Sequence, residues 1–230
     1  MKCSAEHAKR KADAMHYVEL LGALTQPGAT IGHVTQNEEV PNEWVTTAKA
    51  AGFLVIYNMV ESSIRSAFLE AYQIIGSEKL TWDALRDELR DLWIASQHSR
   101  LTRETASPGN YLKKARELVQ RVFERESIEL AGDDLPISGN LDARSIRDLC
   151  AAHGIDHQDR AAAHDGADLL TVKAKRNNLA HGIESFDEVG RGYTADDLRR
   201  FAEQAAKYVE AIMADVDHYL SRRAFLKTTL

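Results

Sequence analysis

The sequence predicts an all-α protein: a helical bundle with a long core helix, a long C-terminal helix and at most a small β element near residues 127–137. Two observations support this prediction. Apolar side chains recur along most of the chain at the spacing that places them on one face of an α-helix. Only 13 glycines and 4 prolines occur among the 230 residues, which leaves few breaks between helices. We expect a single domain over residues 1–230, with an N-terminal helix and loop at 1–40 and the bundle at 41–222.

The N-terminal third is predicted to contain two helices. The first covers residues 4–24, and a loop with two glycines and two prolines follows it at 25–41. Asn42 is a suitable N-cap for a long second helix at 43–75, because its side-chain oxygen can accept a hydrogen bond from the first turn. The middle of this helix is apolar on nearly all sides, which is typical of a helix at the centre of a core.

Two further helices are predicted before a short segment without helical character. Thr81 should cap a third helix at 82–97, in which tryptophan and leucine recur at helical spacing. The Ser-Pro-Gly sequence at 107–109 should break the chain before a fourth helix at 111–124. The segment 127–137 contains two short apolar runs that could each form an edge strand.

The C-terminal part is predicted to contain three helices with recognisable boundaries. They cover residues 140–153 (with 142 as an alternative start), 167–181 and 195–220. Asp165 is placed to cap the second of these helices, and Thr194 with Asp197 resembles a capping box that opens the third. Gly154 and Gly182 stand where a glycine commonly ends a helix.

Composition and charge restrict the classes of function. The net charge is −6, whereas a protein that coats nucleic acid non-specifically is usually basic, so any nucleic-acid contact should be local. Cys3 and Cys150 give neither a disulfide framework nor a metal-finger spacing. No segment resembles a membrane span or a signal peptide, which predicts a soluble cytoplasmic protein without membrane contact. Three clustered histidines match no familiar metal-ligand spacing, and we expect them on a solvated loop: His153, His157 and His164.

The most informative segment is the run Lys-Arg-Asn-Asn-Leu-Ala-His-Gly at residues 175–182. Arg176 offers a permanent charge with a planar fork of donors that suits phosphate. His181 can move protons near neutral pH, because the unperturbed pKa of histidine is about 6.5. Cleavage of RNA needs one group for the phosphate and one for the 2′-hydroxyl or leaving-group proton, and this segment supplies both.

The spacing of arginine and histidine alone is weak support for a site. Pairs with four or five intervening residues occur three times, as Arg10–His16, Arg147–His153 and Arg176–His181. In the third pair Asn177 directly follows the arginine, and on a helix it would share one face with His181. The arginine lies about 100° round the helix and is long enough to reach back, so the three groups can converge on one phosphate. Alternatively, the histidine and Gly182 only end the helix, and the arginine is a surface charge.

A local basic segment surrounds this motif. Between Leu170 and Ile183 every charged residue is basic, namely Lys173, Lys175 and Arg176. We expect the two lysines to contact RNA, and the alternative is a solvated helix face.

Several blocks of this sequence resemble the HEPN superfamily. Residues 176–181 fit its signature of arginine, a polar residue, a few further residues and histidine. Three other blocks are similar to a bacterial branch of MAE-type HEPN-like nucleases: Ile-Tyr-Asn-Met-Val-Glu-Ser-Ser-Ile-Arg at 56–65, Gly-Asn-Leu-Asp-Ala-Arg-Ser-Ile-Arg at 139–147 and Phe-Asp-Glu-Val-Gly-Arg at 186–191. The resemblance covers about residues 40–222 and includes the order of the blocks.

The resemblance implies a fold, an assembly and an activity. HEPN domains are helical bundles that commonly dimerise, so that two Arg–His motifs face each other in one composite cleft. Many are metal-independent endoribonucleases of toxin–antitoxin, abortive-infection and CRISPR systems, while others are inactive and only bind RNA or partners. Transferred to this chain, the resemblance makes Arg176 and His181 the catalytic pair, with Asn177 orienting the phosphate or the histidine and Asn178 in support.

The function implied is therefore a metal-independent endoribonuclease that needs no cofactor and works as a homodimer. It would be a toxin or phage-defence effector, with RNA as substrate and an antitoxin or defence-system protein as partner. The alternative is a catalytically silent HEPN-like module that binds RNA or a protein.

A polar stripe on the predicted core helix has two interpretations. Asn58, Glu61, Ser62 and Arg65 lie three, four and seven residues apart and therefore share one face. In the first interpretation the stripe is solvated, or Glu61 pairs with Arg65 along the helix. In the second, Glu61 anchors Arg176 beside the cleft.

Overall fold

A computed structural model describes residues 2–35, 38–104, 108–137, 139–157 and 165–227. Within these ranges the chain forms eight α-helices and no β-sheet, which confirms the predicted all-α bundle. The helices are α1 (Cys3–Leu24), α2 (Asn42–Ser77), α3 (Asp87–Glu104), α4 (Pro108–Phe123), α5 (Ala143–Ala152), α6 (Asp168–Ala180), α7 (Phe186–Arg191) and α8 (Ala195–Ser221). Short 3₁₀ turns occupy Gly32–Val34, Trp82–Ala84 and Gly132–Asp134.

Helix α2 lies at the centre of the bundle, as its apolar composition predicts. Helices α1, α6, α7 and α8 all pack against it, and α1 also packs against α8. The N-terminal helix is thus part of the same core. The close approach of α7 depends on Gly190, because a Cβ atom there would lie 1.9 Å from the carbonyl oxygen of Thr46 on α2.

Several helix boundaries follow the cap chemistry that the sequence predicts. Asp142 caps α5, where its carboxylate accepts a hydrogen bond from the backbone N–H of Ser145. Thr194 and Asp197 form the expected capping box at the start of α8. Helix α7 was not predicted as a helix, although Ser185 caps it with the same reciprocal pattern to Glu188.

Three predicted caps are wrong. Asn42 is already the first helical residue of α2, and the preceding Pro41 occupies the cap position. Thr81 precedes only a 3₁₀ turn, and α3 begins at Asp87 after an extended residue. Asp165 has a positive φ of 50°, and α6 begins three residues later without a side-chain cap.

The predicted β element is reduced to a single bridge in the described residues of segment 127–137. Ser127 forms an isolated antiparallel bridge with Thr81, and Ile128 donates one hydrogen bond to the carbonyl of Leu80. The segment then turns into 3₁₀ geometry, so no second strand forms. Of the predicted break at 107–109, Ser107 lies outside the described residues, and α4 begins at Pro108. No described helix is both long enough and apolar enough to cross a membrane.

Candidate active site

The guanidinium of Arg176 is turned inward against α2 instead of outward into solvent. It stacks over the ring of Tyr57, with 4.4 Å between the guanidinium carbon and the ring centroid. Its Nη1 donates hydrogen bonds to the carbonyl oxygen of Gly139 at 3.3 Å and to Oδ1 of Asn177 at 2.8 Å. Its Nη2 lies 3.8 Å from a carboxylate oxygen of Glu61. Four groups from three chain segments therefore hold one side chain.

The position of Arg176 on α6 explains this orientation. Leu169, Val172 and Leu179 are buried, and their spacing of three and seven residues defines the face of α6 that packs on the bundle. Arg176 falls on the same stripe, four residues after Val172, so its side chain enters the interface between α6 and α2. The apolar periodicity around Arg176 could have indicated that it lies on the buried face of α6, whereas its charge suggested an exposed position.

Tyr57 connects the arginine to the segment that precedes α5. Its hydroxyl donates to the carbonyl oxygen of Gly139 at 2.6 Å and accepts from the backbone N–H of Leu141 at 2.9 Å. Between them, Oδ1 of Asn140 accepts a hydrogen bond from Nδ2 of Asn177 at 2.7 Å. Burial raises the pKa of Tyr57 above its usual value, so the hydroxyl stays neutral and donates at physiological pH. The sequence motif does not indicate a role for Tyr57, and the sequence predicts Asn140 only as a possible helix start.

His181 lies immediately beyond α6 in a Schellman arrangement. It occupies the C-cap, and Gly182 follows with a φ of +66°. The backbone N–H of Ile183 bonds to the carbonyl of Asn178 at 2.8 Å, which closes the helix end. The imidazole is exposed and makes no hydrogen bond or ion pair with the rest of the described chain. The side chain is thus on the surface while its backbone is fixed.

The predicted convergence of three groups on one phosphate differs from the geometry within a single chain. Asn177 does share a helix face with His181, but both ends of its amide are engaged, by Arg176 and by Asn140. No hydrogen bond joins Arg176 to His181 among the described residues. Asn177 therefore orients the arginine, and the histidine stands apart from both.

The basic character of the segment is neutralised by two carboxylates, one remote in sequence and one just beyond α6. Lys173 pairs with Asp142, the cap of α5. Lys175 donates to both carboxylate oxygens of Glu184, at 2.7 and 3.0 Å, and Asn178 bonds to the same group. The hydrogen bonds from Lys175 and Asn178 lower the pKa of Glu184. Burial alone would raise the pKa of Asp142, but bonds from Lys173 and the capped turn bring it below its ordinary value. Both lysines are therefore partly buried in ion pairs.

Glu61 lies between two arginines, so each interpretation of the polar stripe describes part of its surroundings. One carboxylate oxygen is 3.9 Å from Nη2 of Arg65 and the other is 3.8 Å from Nη2 of Arg176. Asn58 accepts a hydrogen bond from Arg10 of α1 at 3.0 Å. The stripe thus connects α1, α2 and α6 along one polar edge.

The clustered histidines are not on a solvated loop in the part that the structure describes. His153 is 2% exposed and bonded to Tyr72 and Leu149. His157 bonds to Asp215, and His164 lies outside the described residues. No group of three potential metal ligands occurs within the described ranges.

Comparison with known proteins identifies a family. The model of the MAE_28990-like HEPN family matches residues 3–225, which is nearly the whole chain and extends the similarity to α1. No curated protein and no solved structure shows significant similarity to the chain. The ordered sequence blocks, the all-α bundle and the full-length match lead to one conclusion: the chain belongs to the MAE_28990-like HEPN family.

Proposed function

We propose that this HEPN protein is a metal-independent endoribonuclease centred on Arg176 and His181. The observation that carries the proposal is a preorganised arginine on the helix that ends at an unengaged histidine. Arginine has five N–H donors, and the two on Nη1 are bonded within the protein. The Nε and Nη2 donors make no hydrogen bond in the described residues, and the side chain keeps 28% of its surface exposed. Nη2 faces the Glu61 carboxylate only at ion-pair distance, so both groups keep donors that a phosphate can accept.

The proposed reaction is a transesterification within RNA. The 2′-oxygen attacks the adjacent phosphorus while His181 accepts the 2′-hydroxyl proton, and the bond from phosphorus to the 5′-oxygen breaks. The leaving oxygen takes up a proton, which gives a 2′,3′-cyclic phosphate and a 5′-hydroxyl. Arg176 stabilises the charge that develops on the phosphorane, where fixed electrostatics contributes most. DNA lacks the 2′-hydroxyl and is not a substrate.

The geometry of a single chain favours a composite site in a homodimer. Residues 176 and 181 point about 140° apart around the α6 axis and are separated by about 7.5 Å along it. One arginine and one histidine from different protomers could therefore face the same phosphate. Mixing Arg176→Ala with His181→Ala should restore cleavage through heterodimers that contain one intact site. Continued inactivity after verified subunit exchange would contradict the shared site.

The direct test is cleavage of total cellular RNA by the purified full chain in excess EDTA. We expect fragments with 5′-hydroxyl ends from the wild type and none from a folded His181→Ala variant. A matched DNA substrate should remain intact, and its efficient cleavage would rule out 2′-hydroxyl attack. Equal cleavage by both proteins would indicate a contaminant or a different centre.

The proposed biological setting is that of a toxin or phage-defence effector with an antitoxin or other defence partner. If so, expression of the wild type should arrest bacterial growth, and His181→Ala should not. The alternative function is a silent RNA- or protein-binding module, and the ion pairs at Lys173 and Lys175, which leave little free positive charge, favour its protein-binding form. RNA binding without any cleavage, by a folded dimer, would support that alternative.

A further inference from the structure

We propose that Tyr57 is a positioning residue that sets the orientation of Arg176 for the proposed reaction. The inference rests on the proposed function but adds a residue and a mechanism to it. Tyr57 is 3% exposed and sits on α2, one helical turn before Glu61. It does not reach solvent, so its effect on substrate must pass through the arginine.

The ring of Tyr57 fixes the guanidinium from one face. A separation of 4.4 Å is well within the range of a cation–π contact, and burial of the ring removes competing water. A flat guanidinium held against a flat ring loses freedom to tilt. The stack therefore restricts the plane in which the Arg176 donors lie.

The hydroxyl of Tyr57 fixes the guanidinium from its edge. It bonds to the Gly139 carbonyl oxygen, which is also the acceptor for Nη1 of Arg176. The same hydroxyl accepts from the Leu141 N–H, so its donor and one acceptor position are both used and it cannot rotate freely. The carbonyl that receives the arginine is consequently held by the tyrosine.

These contacts close a ring of bonded groups. Asn140, in the segment held by Tyr57, accepts from Asn177, and Asn177 accepts from Arg176. Each member thus restrains the next, and Tyr57 contacts both the arginine and the segment. The remaining Nε and Nη2 donors make no hydrogen bond within the described residues, and the side chain keeps 28% of its surface exposed.

Two variants separate the contributions of ring and hydroxyl. Tyr57→Phe keeps the stack and removes the bonds to Gly139 and Leu141, whereas Tyr57→Leu removes both. Tyr72→Phe is the matched control, because Tyr72 is an equally buried tyrosine on α2 whose hydroxyl bonds to His153 instead. All three variants lose a buried hydroxyl, so a general loss of stability would affect the control as well.

The kinetic readout is the split between kcat and KM for a defined RNA in EDTA. A misplacement of about 1 Å can cost about 100-fold in rate, so we expect a kcat loss of this order for Tyr57→Leu. Loss of the Tyr57 hydroxyl and its hydrogen bonds should lower kcat about tenfold in Tyr57→Phe. KM should change little in the Tyr57 variants, and the activity of Tyr72→Phe should stay close to that of the wild type. Equal kcat values for Tyr57→Leu and Tyr72→Phe, with both proteins folded, would overturn the proposal.

A second readout does not depend on cleavage. The Nε–H resonance of Arg176, assigned by its disappearance in Arg176→Lys, should be displaced by the ring current of Tyr57 in the full-length wild type. The displacement should persist in Tyr57→Phe and vanish in Tyr57→Leu. If wild type does not cleave RNA but shows this pattern, the proposed function fails while the positioning role stands. An unchanged resonance in Tyr57→Leu would overturn the role itself.

Discussion

Two helix ends in this protein share the same local sequence and the same backbone geometry, but the surroundings of their histidines differ. His-Gly-Ile follows α5 at 153–155 and α6 at 181–183. Both histidines are C-caps with nearly equal φ, −95° and −98°, and both glycines have positive φ, 68° and 66°. In both, the isoleucine N–H bonds back to the helix, to Cys150 in the first and to Asn178 in the second. Local sequence therefore sets the same backbone twice.

The surroundings of the two histidines separate them. The His153 ring bonds to the hydroxyl of Tyr72 at 2.9 Å and to the carbonyl of Leu149 at 2.7 Å, and it packs against Phe68. Ile155 is 4% exposed, whereas its counterpart Ile183 is 70% exposed. Burial lowers the pKa of His153 to about 4, so it is neutral and has no free nitrogen at physiological pH. Only the second histidine is available for chemistry, which supports the assignment to the α6 end.

The strongest effects should come from alanine at the two histidines, on activity at His181 and on stability at His153. His181→Ala should lower RNA cleavage by at least about 100-fold, because a positioned acid or base is lost. Its free energy of unfolding should change by less than about 0.5 kcal/mol, since the side chain is exposed. His153→Ala should instead cost about 3 kcal/mol, through a cavity and an unpaired Tyr72 hydroxyl.

Urea unfolding and single-turnover cleavage, measured on the same preparations, test these two expectations. The cleavage rate per folded molecule of His153→Ala should equal that of wild type at a temperature where it is fully folded. A loss of catalysis in that variant without unfolding would place His153 in the reaction and contradict its purely structural role.

The second effect concerns the carboxylate that faces Arg176. Glu61→Gln should lower cleavage about tenfold, because a charge-assisted restraint on the arginine is replaced by a weaker one. Arg65→Gln is the matched control, since it removes the other partner of Glu61 and leaves Arg176 untouched. Activity that is unchanged in Glu61→Gln, or that falls equally in both variants, would leave Glu61 with no role beyond its ion pair with Arg65.

Much of the fold can be predicted from local sequence patterns, namely apolar periodicity and helix caps. The apolar pattern of α2, the cap at Asp142 and the capping box at Thr194 each depend on residues a few positions apart. Thr81 and Asp165 failed as predicted caps because a cap residue works only if the next residues turn into a helix. After Thr81 the chain makes one 3₁₀ turn and is extended at Leu85, and Asp165 and Gly166 both have positive φ, 50° and 74°, before α6 begins.

The candidate site was predictable in its residues but not in its arrangement. The sequence indicates Arg176 and His181, and their proposed roles rest on the chemistry of those side chains. Yet Gly139, which accepts a hydrogen bond from Arg176, lies 37 positions away, and Asp142, which pairs with Lys173, lies 31 positions away. Local spacing contains no information about such contacts. For this reason a segment that reads as uniformly basic is neutral in three dimensions, and Tyr57 is not apparent from the sequence.

The third effect is a pH dependence of stability that comes from His153. In the unfolded chain His153 titrates near about 6.5, and in the folded protein its pKa is about 4. Between these values the unfolded state binds more protons, so stability is full above pH 6.5 and falls as the pH drops toward 4. The slope from this residue approaches about 1.4 kcal/mol per pH unit.

Chemical denaturation at several values between pH 7 and 5 tests this dependence. His153→Gln should lose that part of the slope, while His181→Gln should retain all of it. Burial also lowers the pKa of His7, so a smaller slope should remain in His153→Gln. Identical slopes in wild type and His153→Gln would show that burial does not lower the pKa of His153 in the folded protein.

The smallest effect compares the two glycines that follow the histidines. Gly182→Ala should cost about 1 kcal/mol, because an L-residue is strained at positive φ while a Cβ there meets no other atom within 4 Å. Gly154→Ala carries the same strain, and its Cβ would in addition lie 2.2 Å from the guanidinium carbon of Arg86. Arg86 donates to the Gly154 carbonyl, so displacing it breaks a packed contact at the end of α5. Thermal unfolding should therefore show a larger loss for Gly154→Ala than for Gly182→Ala, and equal losses would mean that the arginine moves aside without cost.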